Sequence, residues 1–266
     1  MKLNIFWHEL KYYKRSMLIW IITLCAITMV FLSMYNSLSA QIDSFRQIIS
    51  NYPKALLTVI NFRFEMFYSI YGYLAYLMTF IWLAGAIQAA NLGVSVVSKE
   101  SAGKTADYIL SKPVGRGSVL VQKLLAVLSV LIITNIAYSF FAVLTARLTS
   151  PSTFNLKLCL LITLSLFFVQ LFFLFIGFLL GTVIPKIKSV ISVSMPLVFG
   201  LFILSSFSAI LDKPEYYYFS AFKYFDSYYI FQNGHYEYKY LWTLLGLAVF
   251  CSLLSYVVYR NKDIEQ

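Results

Sequence analysis

LCLLITLSLFFVQLFFLFIGFLLGTVI, residues Leu158–Ile184, runs for twenty-seven residues without one Asp, Glu, Lys or Arg. As an α-helix it reaches about 40 Å, more than the roughly 30 Å of hydrocarbon in a bilayer. A core helix of a soluble domain keeps a polar face, and this stretch has none. Comparable apolar runs lie on both sides, at Met17–Tyr35, Phe67–Val94, Val119–Thr145, Val190–Leu211 and Tyr240–Tyr259. Lipid offers the backbone no hydrogen-bond partners, so such runs must be helical. The sequence therefore predicts an all-α integral membrane protein with six transmembrane helices.

Composition agrees. Of 266 residues, 60% are hydrophobic, 18% aromatic and only 12% charged. A soluble domain carries roughly twice that charge, and no soluble core of this size buries so much apolar surface. The net charge of +10 comes from residues that flank the apolar runs rather than form a stripe. That pattern suits contact with anionic lipid and excludes nucleic acid as a partner. Cys25, Cys159 and Cys251 all sit inside apolar runs, without metal-ligand spacing, and read as small buried hydrophobes.

Six spans put both termini on one side. Thirteen Lys and Arg fall on the side of the termini and eight on the other, which places both ends in the cytoplasm. The first apolar run is longer than a signal-peptide core, and Ser37–Ala40 makes a weak cleavage site, so it reads as a retained span.

The chain then divides into six parts. Residues 1–16 spell an interfacial helix along the inner leaflet. Leu3, Phe6, Trp7, Leu10 and either Tyr13 or Lys14 follow the helical spacing of one face, with Asn4, His8, Glu9, Lys11 and Arg15 mostly opposite. Residues 17–94 hold two spans around an outer loop, 36–66, with a short helix expected near Pro53–Ile60. Residues 95–118 form a cytoplasmic loop, and 119–211 hold spans three to five. Residues 212–239 are crowded with Tyr and Phe, as befits a segment at headgroup depth, either an aromatic belt or partly re-entrant. Residues 240–266 are the last span and a tail.

The cytoplasmic loop contains Gly103-Lys104-Thr105, which invites a nucleotide reading. A phosphate loop needs G-x-x-x-x-G-K-[ST] after a strand. Here Ser98 stands where the first Gly belongs, and a membrane helix precedes it. The loop instead encodes a short helix over Thr105–Ser111, with Gly103 ending the preceding helix, Pro113 stopping the short one and Ser118 capping the third span.

SKESAGKTADYILSKPVGRGSVLVQKLL, Ser98–Leu125, resembles the cytoplasmic loop of ABC-2 type transporter permeases. The matching features are Glu100, Gly103 with Thr105, Tyr108–Leu110, Lys112-Pro113, Arg116 and Lys123. The amphipathic N-terminus, SAFKYFDSYYIFQNGHY before the last span (with Ala221 in place of a family Pro) and the ending YRNKDI are similar too. The resemblance implies a type V exporter-like permease fold and no catalytic site of its own. ATP and Mg would be bound by a separate ABC ATP-binding subunit, present in two copies, and a second permease chain, identical or homologous, would complete the pathway. The coupling helix would comprise Glu100, Thr105, Asp107, Tyr108, Ile109, Leu110, Lys112, Pro113 and Arg116. The cargo implied is hydrophobic or amphipathic, a peptide or antimicrobial first, exported across a bacterial plasma membrane.

Two other classes were weighed. An ion-gradient-driven secondary transporter keeps ionisable residues at mid-membrane, and here the polar exceptions are neutral: Gln88, Asn91, Asn135 and Gln170. These four either line a cavity or hydrogen-bond between helices. A membrane enzyme needs a catalytic cluster or metal set at bilayer depth, and the only histidines, His8 and His235, lie outside the spans. Gly177 and Gly181 permit close helix approach, between chains or within one, and Pro196 should kink the fifth span.

Overall fold

The structure is a computed structural model that describes residues 4–49, 51–59, 61–102, 115–150, 154–211 and 221–261. Nine α-helices and one 3-10 turn make up the described chain. They are α1 (Asn4–Ala40), α2 (Ile42–Ile49), α3 (Lys54–Val59), the turn Phe64–Tyr68, α4 (Ile70–Ala102), α5 (Arg116–Thr149), α6 (Leu156–Val183), α7 (Ile191–Leu211), α8 (Ser227–Asn233) and α9 (Tyr238–Asn261). Six of them, α1, α4, α5, α6, α7 and α9, are long and apolar enough to cross a membrane. The six expected spans are all present. The end of the bundle at which α1 begins is called the inner end, and the opposite end, carrying α2, α3 and α8, the outer.

The centre is the pair α4 and α6, the most extensive helix contact in the molecule. Small residues set their separation. A methyl group added at Gly93 would lie 2.4 Å from the Leu174 carbonyl oxygen, at Gly177 2.8 Å from that of Ala90, and at Gly181 2.6 Å from that of Val94. The two backbones therefore touch, and dispersion contacts replace the hydrophobic drive that lipid does not supply. Gly177 and Gly181 are thus engaged within the chain, by α4.

Around this pair, α1 packs along α5, α9 lies on α6, and α7 lies on α4. The outer faces of α1, α7 and α9 expose Ile19, Ile22, Phe207, Trp242, Phe250 and Leu253. On a soluble protein such continuous apolar surface would be an anomaly; on this bundle it is the surface that meets acyl chains.

Four expectations are corrected. The break between an interfacial helix, 1–16, and the first span does not occur: α1 is one helix of 37 residues, about 55 Å long. No Gly or Pro stands between Tyr12 and Leu18, so nothing ends the helix there. Glu9, expected on the polar face, is buried, while His8, Lys11 and Arg15 are exposed. The third span is not capped by Ser118. It starts at Arg116 after an extended Gly115, and Ser118 lies inside the first turns, where its Oγ accepts from Gln122 Nε2 at 3.2 Å. The outer loop 36–66 is more helical than expected, since α1 continues to Ala40 and α2 follows. The short helix foreseen near Pro53–Ile60 is α3.

Candidate functional site

At the inner end, α4 and α5 lead out to and back from residues 103–114. Thr105, Asp107, Tyr108, Ile109, Leu110, Lys112 and Pro113 lie outside the described residues. Glu100 falls in the last turn of α4, and Arg116 in the first of α5.

One level deeper, three helices converge on one carboxylate. Glu9 of α1 accepts a hydrogen bond from Lys99 Nζ of α4 through Oε2. Its Oε1 lies 3.5 Å from Lys123 Nζ of α5. Lys123 is completely buried and also donates to the Val96 carbonyl at 2.7 Å. The Lys99 ammonium sits 4.1 Å from the Tyr12 ring centroid and 5.1 Å from that of Tyr13. Tyr13 Oη and Ser95 Oγ are 2.8 Å apart, adding a second link between α1 and α4. The aromatic faces and the Val96 carbonyl add to the hold of the carboxylate on the two ammonium groups. A buried charge is tolerable only when so surrounded. Sequence reasoning noted Lys123 but missed its partner. The signal was there: Glu9 and Tyr13 share the helical seam of Leu24, Thr28 and Leu32, the other buried residues of α1.

At mid-bundle the structure brings together three of the four polar exceptions. Gln170 Nε2 of α6 donates to Gln88 Oε1 of α4 at 3.0 Å, and Gln88 Nε2 donates to Thr134 Oγ1 of α5 at 3.2 Å. Asn135 Nδ2 donates to Gln170 Oε1 at 2.5 Å and to the Leu131 carbonyl at 2.8 Å. These bonds tie α4, α5 and α6 across the centre, while Asn135 Oδ1 is buried without a hydrogen-bond partner. Asn91 stands apart: its Oδ1 accepts from Ser194 Oγ of α7 at 2.5 Å. Asn135 also borders an apolar cleft of about 580 Å³ between α5 and α6, lined by Ile136, Phe140, Leu160 and Leu164 among others.

At the outer end, the turn 221–225 and α8 are built into the bundle. Phe222 places its ring 5.3 Å from that of Phe173 and 5.6 Å from that of Phe202, both near the middle of their helices. Phe225 stacks on Phe168 at 5.0 Å, and Tyr224 on Tyr240 at 4.9 Å. Ser227 Oγ donates to the Ala75 carbonyl at 2.7 Å. Tyr236 Oη donates to the Leu161 carbonyl at 2.5 Å, and burial pushes its phenol above the ordinary range. Asp226 caps α8 by accepting from Tyr228 N, and Gly234 closes it in the left-handed conformation (φ 67°) that glycine adopts without steric cost.

A family model described as ABC-2 family transporter protein matches residues 3–264, nearly the whole chain. The chain is an ABC-2 family permease. No curated protein matches it. As a member, this permease is a multi-pass transmembrane transport subunit, and the family in general works with an ABC ATPase. Three sites stand out in its described residues: an ion cluster beside the ends of α4 and α5, a neutral polar tie at mid-bundle, and an aromatic element at the opposite end. Among the described residues no group of three or more His, Cys, Asp or Glu is placed to hold a metal ion.

Proposed function

We propose that the chain is the membrane-spanning half of an exporter, moved by a separate ATP-binding subunit that engages the stretch Glu100–Arg116. Two ATPase copies and a second permease chain, identical or homologous, complete the assembly. The termini lie in the cytoplasm of a bacterial cell, and the cargo is hydrophobic or amphipathic, a peptide or antimicrobial first. The observation that carries the reading is the joining of α1, α4 and α5 at Glu9, directly beneath the point where α4 and α5 lead into residues 103–114. A push on that stretch reaches three spans at once, because 33- and 34-residue helices carry it inward.

The test is purification in mild detergent with identification of what co-purifies. A stoichiometric soluble subunit with a phosphate loop is expected; its absence under several detergents overturns the reading. With the complex in hand, Ile109→Glu and Leu110→Glu should each put a charge where apolar contact is needed. Export should fall while ATP hydrolysis loses its response to cargo. Unchanged export and stimulated hydrolysis in both variants would remove the coupling role.

A further inference from the structure

The cleft between α5 and α6, about 580 Å³ in volume, falls in the size range of small-molecule sites. Four of its lining residues, Ile136, Phe140, Leu160 and Leu164, are exposed on the surface that meets acyl chains. Among the described residues its lining holds no charge and two polar side chains, Asn135 and Ser139. Both have hydrogen-bonding capacity to spare. Asn135 is 5% exposed. Its Nδ2 is spent on Gln170 Oε1 and the Leu131 carbonyl, and its Oδ1 is buried without a partner. Such an oxygen calls for a donor, and acyl chains supply none. Ser139 stands one turn further along α5. The neighbouring hydroxyls of that helix turn back on its own carbonyls: Ser129 on Leu125, Thr134 on Val130 and Thr145 on Phe141, each at 2.9 Å. Ser139, which lines the cleft, makes no hydrogen bond among the described residues. On α5 the cleft runs from Ile132 to Val143, about 16 Å. The polar pair falls near the middle, with apolar lining on both sides. An acceptor and a donor one turn apart, their Cβ atoms about 5–6 Å from each other, suit a trans secondary amide, whose N–H and C=O point in opposite directions.

We propose that this cleft binds a membrane-soluble molecule in which one secondary amide lies between two apolar arms. The amide N–H donates to Asn135 Oδ1, and its C=O accepts from Ser139 Oγ. An N-alkyl fatty amide and a capped apolar peptide share that chemistry. That such a molecule is the cargo rests on the transport reading above; its binding does not, because no ATPase is needed for it.

The probe is N-hexylhexanamide with an alkyl diazirine on one arm, photolysed with the full chain in nanodiscs, and the labelled residues are read by mass spectrometry. We expect saturable labelling at Ile136, Phe140, Leu160 or Leu164, displaced by unmodified N-hexylhexanamide. Two competitors of matched length test the polar pair without any variant. Dihexyl ketone can accept from Ser139 but cannot donate to Asn135, and tridecane can do neither. At equal concentration in the bilayer each should displace the label roughly threefold less well than the molecule before it, the scale of one hydrogen bond inside a membrane. Ser139→Ala should weaken the amide and the ketone by a similar factor and leave tridecane unchanged. Tridecane competing as well as the amide overturns the polar assignment. Label spread over the exposed residues of α1, α7 and α9 without saturation means partition into the bilayer and overturns the site. Cross-linking of Phe140→Cys to a second polypeptide in native membranes would make the occupant a helix and overturn the small-amide assignment. N-hexanoyl-leucine methyl ester separates the sources: stronger displacement by it than by the fatty amide assigns the site to peptides, weaker to fatty amides. Saturable labelling without a co-purifying ATPase would leave the site standing and the transport reading fallen; the converse would do the reverse.

Discussion

The inner end of the bundle is held by charges and the outer end by rings. At the inner end α1, α4 and α5 share Glu9, Lys99 and Lys123, each with fixed partners. At the outer end α6, α7, α9 and the turn before α8 meet through the ring pairs Phe168–Phe225, Phe173–Phe222, Phe202–Phe222 and Tyr224–Tyr240. An ion cluster in low dielectric has one good arrangement and costs much when a member is removed. Ring clusters allow several arrangements of similar energy, because offset and edge-on contacts differ little. The inner end is therefore built as a joint that keeps three helices in register, and the outer end as packing that can rearrange.

The largest effect expected from breaking this contrast is at Glu9. Glu9→Gln removes the carboxylate that Lys99 and buried Lys123 share, a loss of about 3–5 kcal/mol. Thermal unfolding of the purified chain checks it. The double variant Glu9→Leu/Lys123→Met should recover much of that stability, because an apolar pair of similar volume removes the desolvation cost. Export in that variant should stay low if the ionic joint transmits motion.

Next comes the central pair, which belongs to neither end. Gly93→Val pushes a side chain into the Leu174 carbonyl 2.4 Å away, where only backbone can yield. A loss of about 1–3 kcal/mol follows from such overpacking. Cross-linking between cysteines placed on α4 and α6 should slow in the same variant. Smaller again is Gln88→Leu, which strips both hydrogen bonds of Gln88 and leaves Gln170 Nε2 and Thr134 Oγ1 facing an apolar side chain. Hydrogen bonds inside membranes are worth about 0.6 kcal/mol on average, so a loss near 1 kcal/mol is expected in a denaturant titration. An effect of similar size belongs to the outer rings: Phe168→Leu keeps most of the buried area and gives up about 0.5–1.5 kcal/mol of ring contact. A loss there as large as at Glu9 would erase the contrast.

How legible was this in the sequence? The spans were, because covering the hydrocarbon demands a run of apolar residues too long to arise otherwise. Gly177 and Gly181 announced a close approach, though not which helix would answer, since α4 contributes Ala90 and Val94 from far away in the chain. Gln88, Asn135 and Gln170 stood out as polar within apolar runs, but whether they met each other depended on the rotation of three helices. Glu9 was misread for a physical reason. A carboxylate among Lys, His and Arg near a membrane surface fits a solvated face, and its partners, Lys99 and Lys123, lie on the second and third spans. The continuity of α1 was hidden similarly, because an amphipathic segment beside an apolar one looks the same whether the chain bends between them or not.

The burial of Glu9 also dictates a timetable for making the protein. Its carboxylate leaves the ribosome first, while Lys99 and Lys123 are still untranslated. At about 5–20 residues per second, the wait for Lys123 is on the order of ten seconds. During that interval the first span is threaded into the membrane with its acidic residue still in water at the surface. The joint can close only once the helix that opens at Arg116 has itself been inserted. The span that carries Glu9 is thus made before either of its partners and locked only once the next two spans are in place, which makes its seating a check on whether those helices arrived correctly.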